Sequence, residues 1–462
     1  MSDTSHLNLG KDGSEIEMQN LLDEEDTSKS SLDVEDVLYN GETINLYPLN
    51  YQKVPLVRFQ ILASLLLFMV FGMNDECNGA LLPGLTEHYG VTKVQVANTF
   101  ILQVCGYTLA SLLNERVYRR VGAQGAVLIA SGMCIVCFTI LTMRPGSFYV
   151  YLACFVPLGL SIGILDSACN VLFGNLEVHK NECMGILHGV YGAAAMVTPP
   201  TVSYFVEFGQ WNLVFLFPLG LSLAGFVLAA FAFKTETANK YNYICSISKS
   251  DGDEEHPSFF TLLKKPAIFL YAMFLFVYLG SEVSTGAWIL TYLMEVKHGS
   301  YVPMSYVTAA FWLGLTVGRL VLGFVTRRSF RNEYRASRFY AGMTGVFYTL
   351  FLLLSLIDSQ STFYFVVIAI VVFFAGVFIG PLFPNASVVA LQVLPKNLHV
   401  SGVGIAVALG GCGAAALPYA IGLVTSALGF GVFPLLCWCM VALVNIMWFM
   451  YPKLIKGHDE YL

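Results

Sequence analysis

The sequence predicts an all-α polytopic membrane protein: twelve transmembrane helices arranged as two six-helix bundles in parallel pseudo-repeat. Three observations carry this. The chain of 462 residues is 56% hydrophobic and only 12% charged, about half the charge of a soluble domain. Windows of about 19 residues give apolar spans near 57–83, 94–113, 122–143, 148–174, 184–206, 212–233, 267–293, 302–325, 338–357, 361–384, 400–427 and 431–451, split evenly by one long polar interruption. The two halves also echo one another. FGMNDECNGALLP at 71–83 places Asp75 four residues before Gly79-Ala80, and YLGSEVSTGAW at 278–288 places Glu282 four residues before Gly286-Ala287.

In chain order, residues 1–52 are polar, acidic and Ser-rich, the composition of a disordered tail and not of a signal peptide. Within it Glu17-Met-Gln-Asn-Leu21-Leu22 has the acidic-dileucine form read by sorting adaptors, ahead of an acidic run at 23–26. A chance leucine pair is the plainer alternative; a true signal directs the protein to a vacuole or lysosome, and otherwise the plasma membrane is expected. The first bundle occupies 53–233, a central loop 234–266, the second bundle 267–451 and a short tail 452–462. Arg116, Arg119, Arg120, Lys234, Lys240, Lys249, Lys264, Lys265, Arg327, Arg328, Arg331, Arg335, Arg338, Lys453 and Lys456 lie on one side, against Lys93, Arg144 and Lys297 on the other. By the positive-inside rule both termini and the central loop are cytosolic.

Further echoes tie the halves together. Span five carries Gly192-Ala-Ala-Ala before Pro199, and span eleven Gly413-Ala-Ala-Ala before Pro418. Ser111 precedes Arg116 and Arg119 at the offsets by which Gly323 precedes Arg328 and Arg331. Stripes of small residues, Gly185/Gly189/Gly192 and Gly402/Gly404/Gly410/Gly411/Gly413, allow close helix approach and sliding.

Ionisable groups inside apolar spans are costly and point to a polar cavity or a partner. Asp75 and Glu76 are adjacent in span one; consecutive helical residues point about 100° apart, so one cavity is not expected to hold both. Asp75 shares its face with Asn78 and Gly79 and is the stronger candidate. Span four offers Asp166 with Asn170 one turn on. Span seven offers Glu282, with Trp288 either a ligand platform or a packing residue. These four carboxyls are the candidate proton carriers, since desolvation moves a carboxyl towards titrating near neutral pH. Asn170, Asn78, Gln103, Trp288, Tyr191 and Asn385 are candidate solute contacts, although residues such as Tyr191 and Trp312 are more often core. His188 titrates near neutrality and is either a relay or an interfacial residue. Arg319 in span eight needs an acid partner or snorkels, and with Arg116 is a candidate gating residue. The eleven cysteines lack metal-ligand or disulfide spacing. No cofactor, metal or nucleic acid is expected, and no nucleophile–base pair or phosphate-cradling loop suggests an enzyme.

Two six-helix repeats with a mid-membrane site resemble the major facilitator superfamily. SLLNERVYRR at 111–120 resembles its loop signature G-x-x-x-D-R-x-G-R-R, with Ser111, Glu115 and Tyr118 replacing Gly, Asp and Gly. Within it the chain is similar to the fucose-permease-like branch of sugar:proton symporters. Asp166-Ser-Ala-Cys-Asn170 after Leu165 resembles L-E-T-A-A-N, the stretch at 78–83 resembles N-D-x-L-L-P, and Tyr278-Leu-Gly-Ser-Glu282-Val-Ser284 resembles Y-V-G-x-E-V-S. The resemblance implies that Asp166 serves sugar binding and proton coupling. It also places Gly79 where the branch has an acid, one turn after Asp75, and Tyr191 where it has a sugar-binding Asn. GMNDECNGALLP and LHGVYGAAA resemble fungal relatives of the bypass-of-stop-codon type.

The expected function is secondary active transport of a small polar solute, such as a sugar, coupled to protons through Asp166 or Asp75, with solute, protons, lipid bilayer and a sorting adaptor as partners. An organic-cation or drug antiporter is the alternative, although G-x-x-x-G-P-x-x-G-G is absent around 189–200. A non-transporting nutrient receptor is the third reading. Replacing Leu21 and Leu22 with Ala is expected to move the protein from an internal membrane to the cell surface, read by imaging a tagged chain; an unchanged distribution removes the sorting reading.

Overall fold

The computed structural model describes residues 35–250, 264–393 and 399–454. Each expected apolar window falls on helix. The first half contains α1 (Pro55–Ala80), α2 (Leu82–Tyr89), α3 (Lys93–Thr142), α4 (Phe148–Ala153), α5 (Phe155–Gly174), α6 (Lys180–Glu207) and α7 (Leu216–Ala232). After α8 (Ala238–Ser250), the second half contains α9 (Pro266–Glu295), α10 (Tyr301–Ser329), α11 (Glu333–Ser355), α12 (Thr362–Ile379), α13 (Leu382–Val393), α14 (His399–Leu428) and α15 (Phe433–Leu454). Among the described residues, nine helical segments are long and apolar enough to cross a membrane.

Local chemistry sets the boundaries. Proline opens α1 and α9 in the first turn, where its missing N–H costs no hydrogen bond. Thr92 and Gln95 form a reciprocal capping box at the start of α3, and α2 stops at Gly90 in the left-handed region (φ 64°). The windows expected at 94–113 and 122–143 run together in α3 but are broken at Gly122 (φ 69°, ψ −177°). A Cβ there would collide with the backbone of Glu236, Thr237 and Ala238, so only glycine permits both the turn and the close approach.

The halves repeat in packing as well as in sequence. In the first, α3 packs on α5 and α7, and α1 on α6 and α7; in the second, α10 packs on α12, α11 on α15, and α9 on α14 and α15. The closest backbone approaches are matched too. Gly106, Gly159 and Gly163 bring α3 against α5, and Gly314, Gly318, Gly376 and Gly380 bring α10 against α12. Of the expected stripes, Gly413 does the same between α14 and the backbone of Phe276, whereas a Cβ at Gly185 would meet no other element within 4 Å. The tightest contacts therefore lie largely outside the stripe expected in span five.

The halves meet through α6 on α10, α3 on α14 and α1 on α9. The C-terminal ends of α1 and α9 touch at Gly79 and Ala287, and α15 returns beside the start of α9 through Trp448 and Phe274 (4.9 Å). The segments entering α1 and leaving α15 therefore share one side of the molecule, here the tail face.

Two expectations at that face need correction. The tail 1–52 is not structureless throughout: β1 (Glu35–Tyr39) and β2 (Glu42–Leu46) form an antiparallel hairpin. Its turn is Asn40-Gly41 with both φ positive (50° and 81°), the pair that suits a two-residue hairpin turn. The central loop is partly helical in α8, which receives the hairpin. Asn239 bonds Glu42, Tyr243 meets Tyr39 edge-on, and Lys240 lies 4.0 Å over the Tyr47 ring. The Tyr47 hydroxyl bonds Glu236 (2.5 Å) and accepts from Gln60 (3.0 Å). Glu17, Leu21 and Leu22 lie outside the described residues.

Gly122→Ala forces a positive φ and a backbone collision together. Each such strain costs on the order of 1–3 kcal/mol, so a lower thermal unfolding temperature of the detergent-solubilised protein is expected; a wild-type melting curve refutes this account of the break in α3.

Candidate functional site

Charge inside the molecule gathers where α1, α3, α5 and α6 of the first half face α9, α10 and α14 of the second. Asp75 on α1 accepts from Gln103 Nε2 (2.7 Å), Tyr191 OH (3.0 Å) and Asn74 Nδ2 (3.3 Å). Gln103 Oε1 in turn accepts from Asn74 (2.9 Å) and Asn78 (3.2 Å). A second carboxyl cluster stands on α5. Asp166 accepts from Tyr107 OH (2.6 Å) and from Asn170 Nδ2 (2.8 Å), which also bonds the Asp166 carbonyl (2.9 Å). The one-turn spacing of Asp166 and Asn170 thus closes into a pair. Hydroxyl and amide donors hold these two carboxyls, and no ion pair reaches either among the described residues.

The second half contributes an ion pair. Arg319 Nη2 on α10 donates to both oxygens of Glu282 on α9 at 3.0 Å, while its Nε donates weakly to the Gly380 carbonyl (3.4 Å). Both side chains are largely buried. Arg319 is therefore bound within its own half and does not snorkel. The imidazole of His188 lies between Phe68 (5.5 Å) of its own half and Phe383 (6.2 Å) of the other, on the seam and not at a helix cap.

Glu76 follows Asp75 but turns to other neighbours, as a rotation of about 100° requires. It is 2% exposed, Trp312 on α10 is 1% exposed, and neither Glu76 Oε1 nor Trp312 Nε1 completes a hydrogen bond. Tyr191 crosses the seam to Trp312 edge-on at 6.2 Å, and a Cβ at Gly411 of α14 would lie 3.5 Å from the Tyr107 ring.

Several candidates are elsewhere. Trp288 is fully buried in the second bundle, donates Nε1–H to the Pro418 carbonyl (2.9 Å) and packs on Phe430; packing, the alternative reading, accounts for it. Asn385 is buried on α13, its Nδ2 unpaired. Arg116 is exposed at the tail face, near the Arg119–Glu115 pair (2.8 Å) and remote from the central carboxyls. Conversely, Tyr107 and Asn74 join the site without having been singled out. The signal for Tyr107 was its place one turn after Gln103; that for Asn74 was contact in sequence with Asp75.

The seam is shut on the side away from the tails. There Lys93 pairs with Glu295 and covers the Phe430 ring at 4.4 Å, Ser203 bonds Ser305 (2.9 Å), and Tyr301 OH donates to the Ala80 carbonyl. Asp75, Gln103, Tyr107, Asp166, Asn170, Tyr191 and Arg319 are each partly exposed.

Two packed helical bundles enclosing a mid-membrane polar site define a multi-pass membrane transporter. Residues 64–418 match the Major Facilitator Superfamily, and the chain belongs to that family. It is 55% identical over 471 residues to Bypass of stop codon protein 6 of Saccharomyces cerevisiae, covering 96% of this chain and 95% of that protein. It is 22% identical over 276 residues to the Glucose/mannose transporter GlcP of Bacillus subtilis, covering 58% and 66% of the two chains. Among solved structures, a POT family transporter in complex with 5-aminolevulinic acid superposes with a TM-score of 0.67 at 14% identity, covering 86% of this chain and 97% of that one. A D-xylose-proton symporter superposes at 0.66 with 11% identity, covering 87% and 99%.

Arg319→Gln would leave Glu282 buried without its counter-charge, a loss of about 3–5 kcal/mol. Thermal unfolding is expected to fall sharply in Arg319→Gln and to recover in Glu282→Gln/Arg319→Gln; equal loss in both refutes the pairing as the cause.

Proposed function

We propose that this chain is a proton-coupled secondary transporter of a small neutral polar solute, a sugar or polyol, working by alternating access. The observation that carries the reading is the pair of donor-held carboxyls, Asp75 with Gln103 and Tyr191, and Asp166 with Tyr107 and Asn170. Such clusters offer alternating acceptors and donors to a hydroxyl-rich ligand, and the two tyrosine rings offer flat apolar faces. The similarity to a protein named as a glucose/mannose transporter agrees with this substrate class.

In this mechanism solute enters from the tail face and exchanges hydrogen bonds with Asn170, Gln103 and Asn78. Protonation of Asp166 or Asp75 removes a charge from a low-dielectric site and lets the bundles rock about α6 against α10 and α3 against α14. The excess of basic residues in the tail-face loops supports cytosolic termini, in a vacuolar or plasma membrane, with a sorting adaptor acting at the acidic-dileucine sequence. The lack of a basic partner at Asp75 and Asp166 among the described residues favours one second reading, an organic-cation or drug antiporter, in which the solute itself supplies the positive charge.

The test is uptake into proteoliposomes of sugars, polyols and organic cations with and without an imposed pH gradient. A sugar or polyol is expected to accumulate only with the gradient, and Asp166→Asn to reduce accumulation to simple equilibration. Undiminished uphill transport by Asp166→Asn refutes the role of Asp166, and cation exchange for protons selects the second reading.

A further inference from the structure

A groove of about 480 Å³ opens on the outer surface of the second bundle, between α11 and α15. Gly342, Gly345 and Thr349 of α11 and Trp438, Ala442 and Asn445 of α15 line it, each set spaced to share one helix face. The opposite faces pack inward: Tyr348 of α11 and Cys437 of α15 both reach Thr285 of α9. Exposed apolar side chains, Val346 and Leu350 of α11 and Leu443 and Ile446 of α15, adjoin these positions in the chain, so the groove opens to the bilayer core.

The equivalent pair in the first bundle is α3 with α7. Gly132-Met133 lies ten residues after the break at Gly122, as Gly342-Met343 lies ten after the α11 cap, Asn332. Phe217-Pro218-Leu219 opens α7 as Phe433-Pro434-Leu435 opens α15. On that register Gly342 answers to Gly132, Ala442 to Phe226 and Asn445 to Ala229. A Cβ at Gly132 would lie 3.9 Å from the Phe226 ring, whereas a Cβ at Gly342 would meet no other element within 4 Å. The second bundle therefore lacks the ring that covers the glycine in the first, and carries an amide where the first has a methyl group.

That amide needs a partner. Asn445 is the thirteenth of the 22 residues of α15, close to mid-membrane. One Nδ2 hydrogen goes to the Val441 carbonyl (2.9 Å); among the described residues the other N–H and Oδ1 have none. Lipid tails cannot answer an amide, but a facing helix can. An Asn that keeps both a donor and an acceptor is complementary to itself across a two-fold axis. From Trp438 to Asn445 the groove runs about 10.5 Å, so its mean cross-section is about 45 Å². That is too narrow for an α-helix about 10–12 Å across, but wide enough for a row of its side chains. The exposed row Leu435, Cys439 and Leu443 on α15 is such a ridge. Two helices about 33 Å long and about 10 Å apart present a face of roughly 650 Å², on the scale of the about 800 Å² each partner gives to a standard interface.

We propose that the α11–α15 face is an isologous interface with a second copy of this chain. Asn445 bonds Asn445 of the partner subunit across the two-fold axis, and the Leu435–Cys439–Leu443 ridge of each copy sits in the groove of the other. Because the contact uses only the outer face of the second bundle, the seam of each copy stays free to move. The proposal does not depend on the transport reading.

Subunits are counted by stepwise photobleaching of the full chain, labelled once at its C-terminus, in liposomes dilute enough that chance pairing is rare. Wild type is expected to bleach mainly in two steps. Ala442→Phe, which gives the second bundle the ring the first already has, is expected to bleach in one step. Asn445→Leu, which keeps the bulk and removes the amide, is expected to lose the two-step population as well. Val227→Phe, on the exposed face of α7, is expected to behave as wild type. Melting curves establish that each variant is folded, and Asn445→Leu decides the matter if Ala442→Phe does not fold. One-step bleaching of wild type overturns the dimer and leaves the groove to lipid. Two-step bleaching by folded Ala442→Phe or by Asn445→Leu overturns this interface, and so does loss of pairing in Val227→Phe, which would place the contact on the first bundle.

Discussion

Within hydrocarbon a polar group has no water to fall back on, so each one must be satisfied by the protein or reached by a cavity. That constraint orders the middle of this molecule. Asp75 recruits Gln103, Tyr191 and Asn74 from three helices, Asp166 draws Tyr107 across to α5, and Glu282 ties α9 to α10 through Arg319. These bonds hold helices within a bundle in fixed relation. Among the side chains with an atom left without a hydrogen-bond partner are Glu76 of α1 and Trp312 of α10, which belong to opposite bundles.

The duplicated architecture gives the movement its geometry. Glycines bring α3 against α5 and α10 against α12 by the same kind of backbone contact, so each bundle is a close-packed body with little freedom inside it. Between the bundles, direct bonds such as Lys93–Glu295 and Ser203–Ser305 cluster at the face away from the tails. The hairpin, Tyr47 and α8 bind the entering tail to the first bundle.

The acidic positions show what a single chain can and cannot disclose. A carboxylate in an apolar span is conspicuous because it violates the composition around it, so Asp75, Glu76, Asp166 and Glu282 were legible, as was Arg319. Their partners were legible only when they lay one helical turn away, as Asn170 does from Asp166. Tyr107 and Tyr191 reach the carboxyls from other helices, so no spacing along the chain pairs them with Asp166 and Asp75. Trp288 shows the converse: its ring left a ligand platform and a packing role both open, while its indole is used on the Pro418 carbonyl.

Composition and periodicity by themselves determined the membrane class, the even split into halves, the position of each apolar span and the acids that must be paired or solvated. They could do so because helix length and hydropathy are local properties answering to one solvent, the bilayer. The hairpin at Asn40-Gly41 was also within reach of local reading, but acidic composition pointed the other way. Tertiary structure alone decided which acid meets a cation, which meets hydroxyls and which meets only an indole, and on which side the seam is shut. Those outcomes depend on side chains brought together from residues tens to hundreds of positions apart, and no local pattern specifies that pairing.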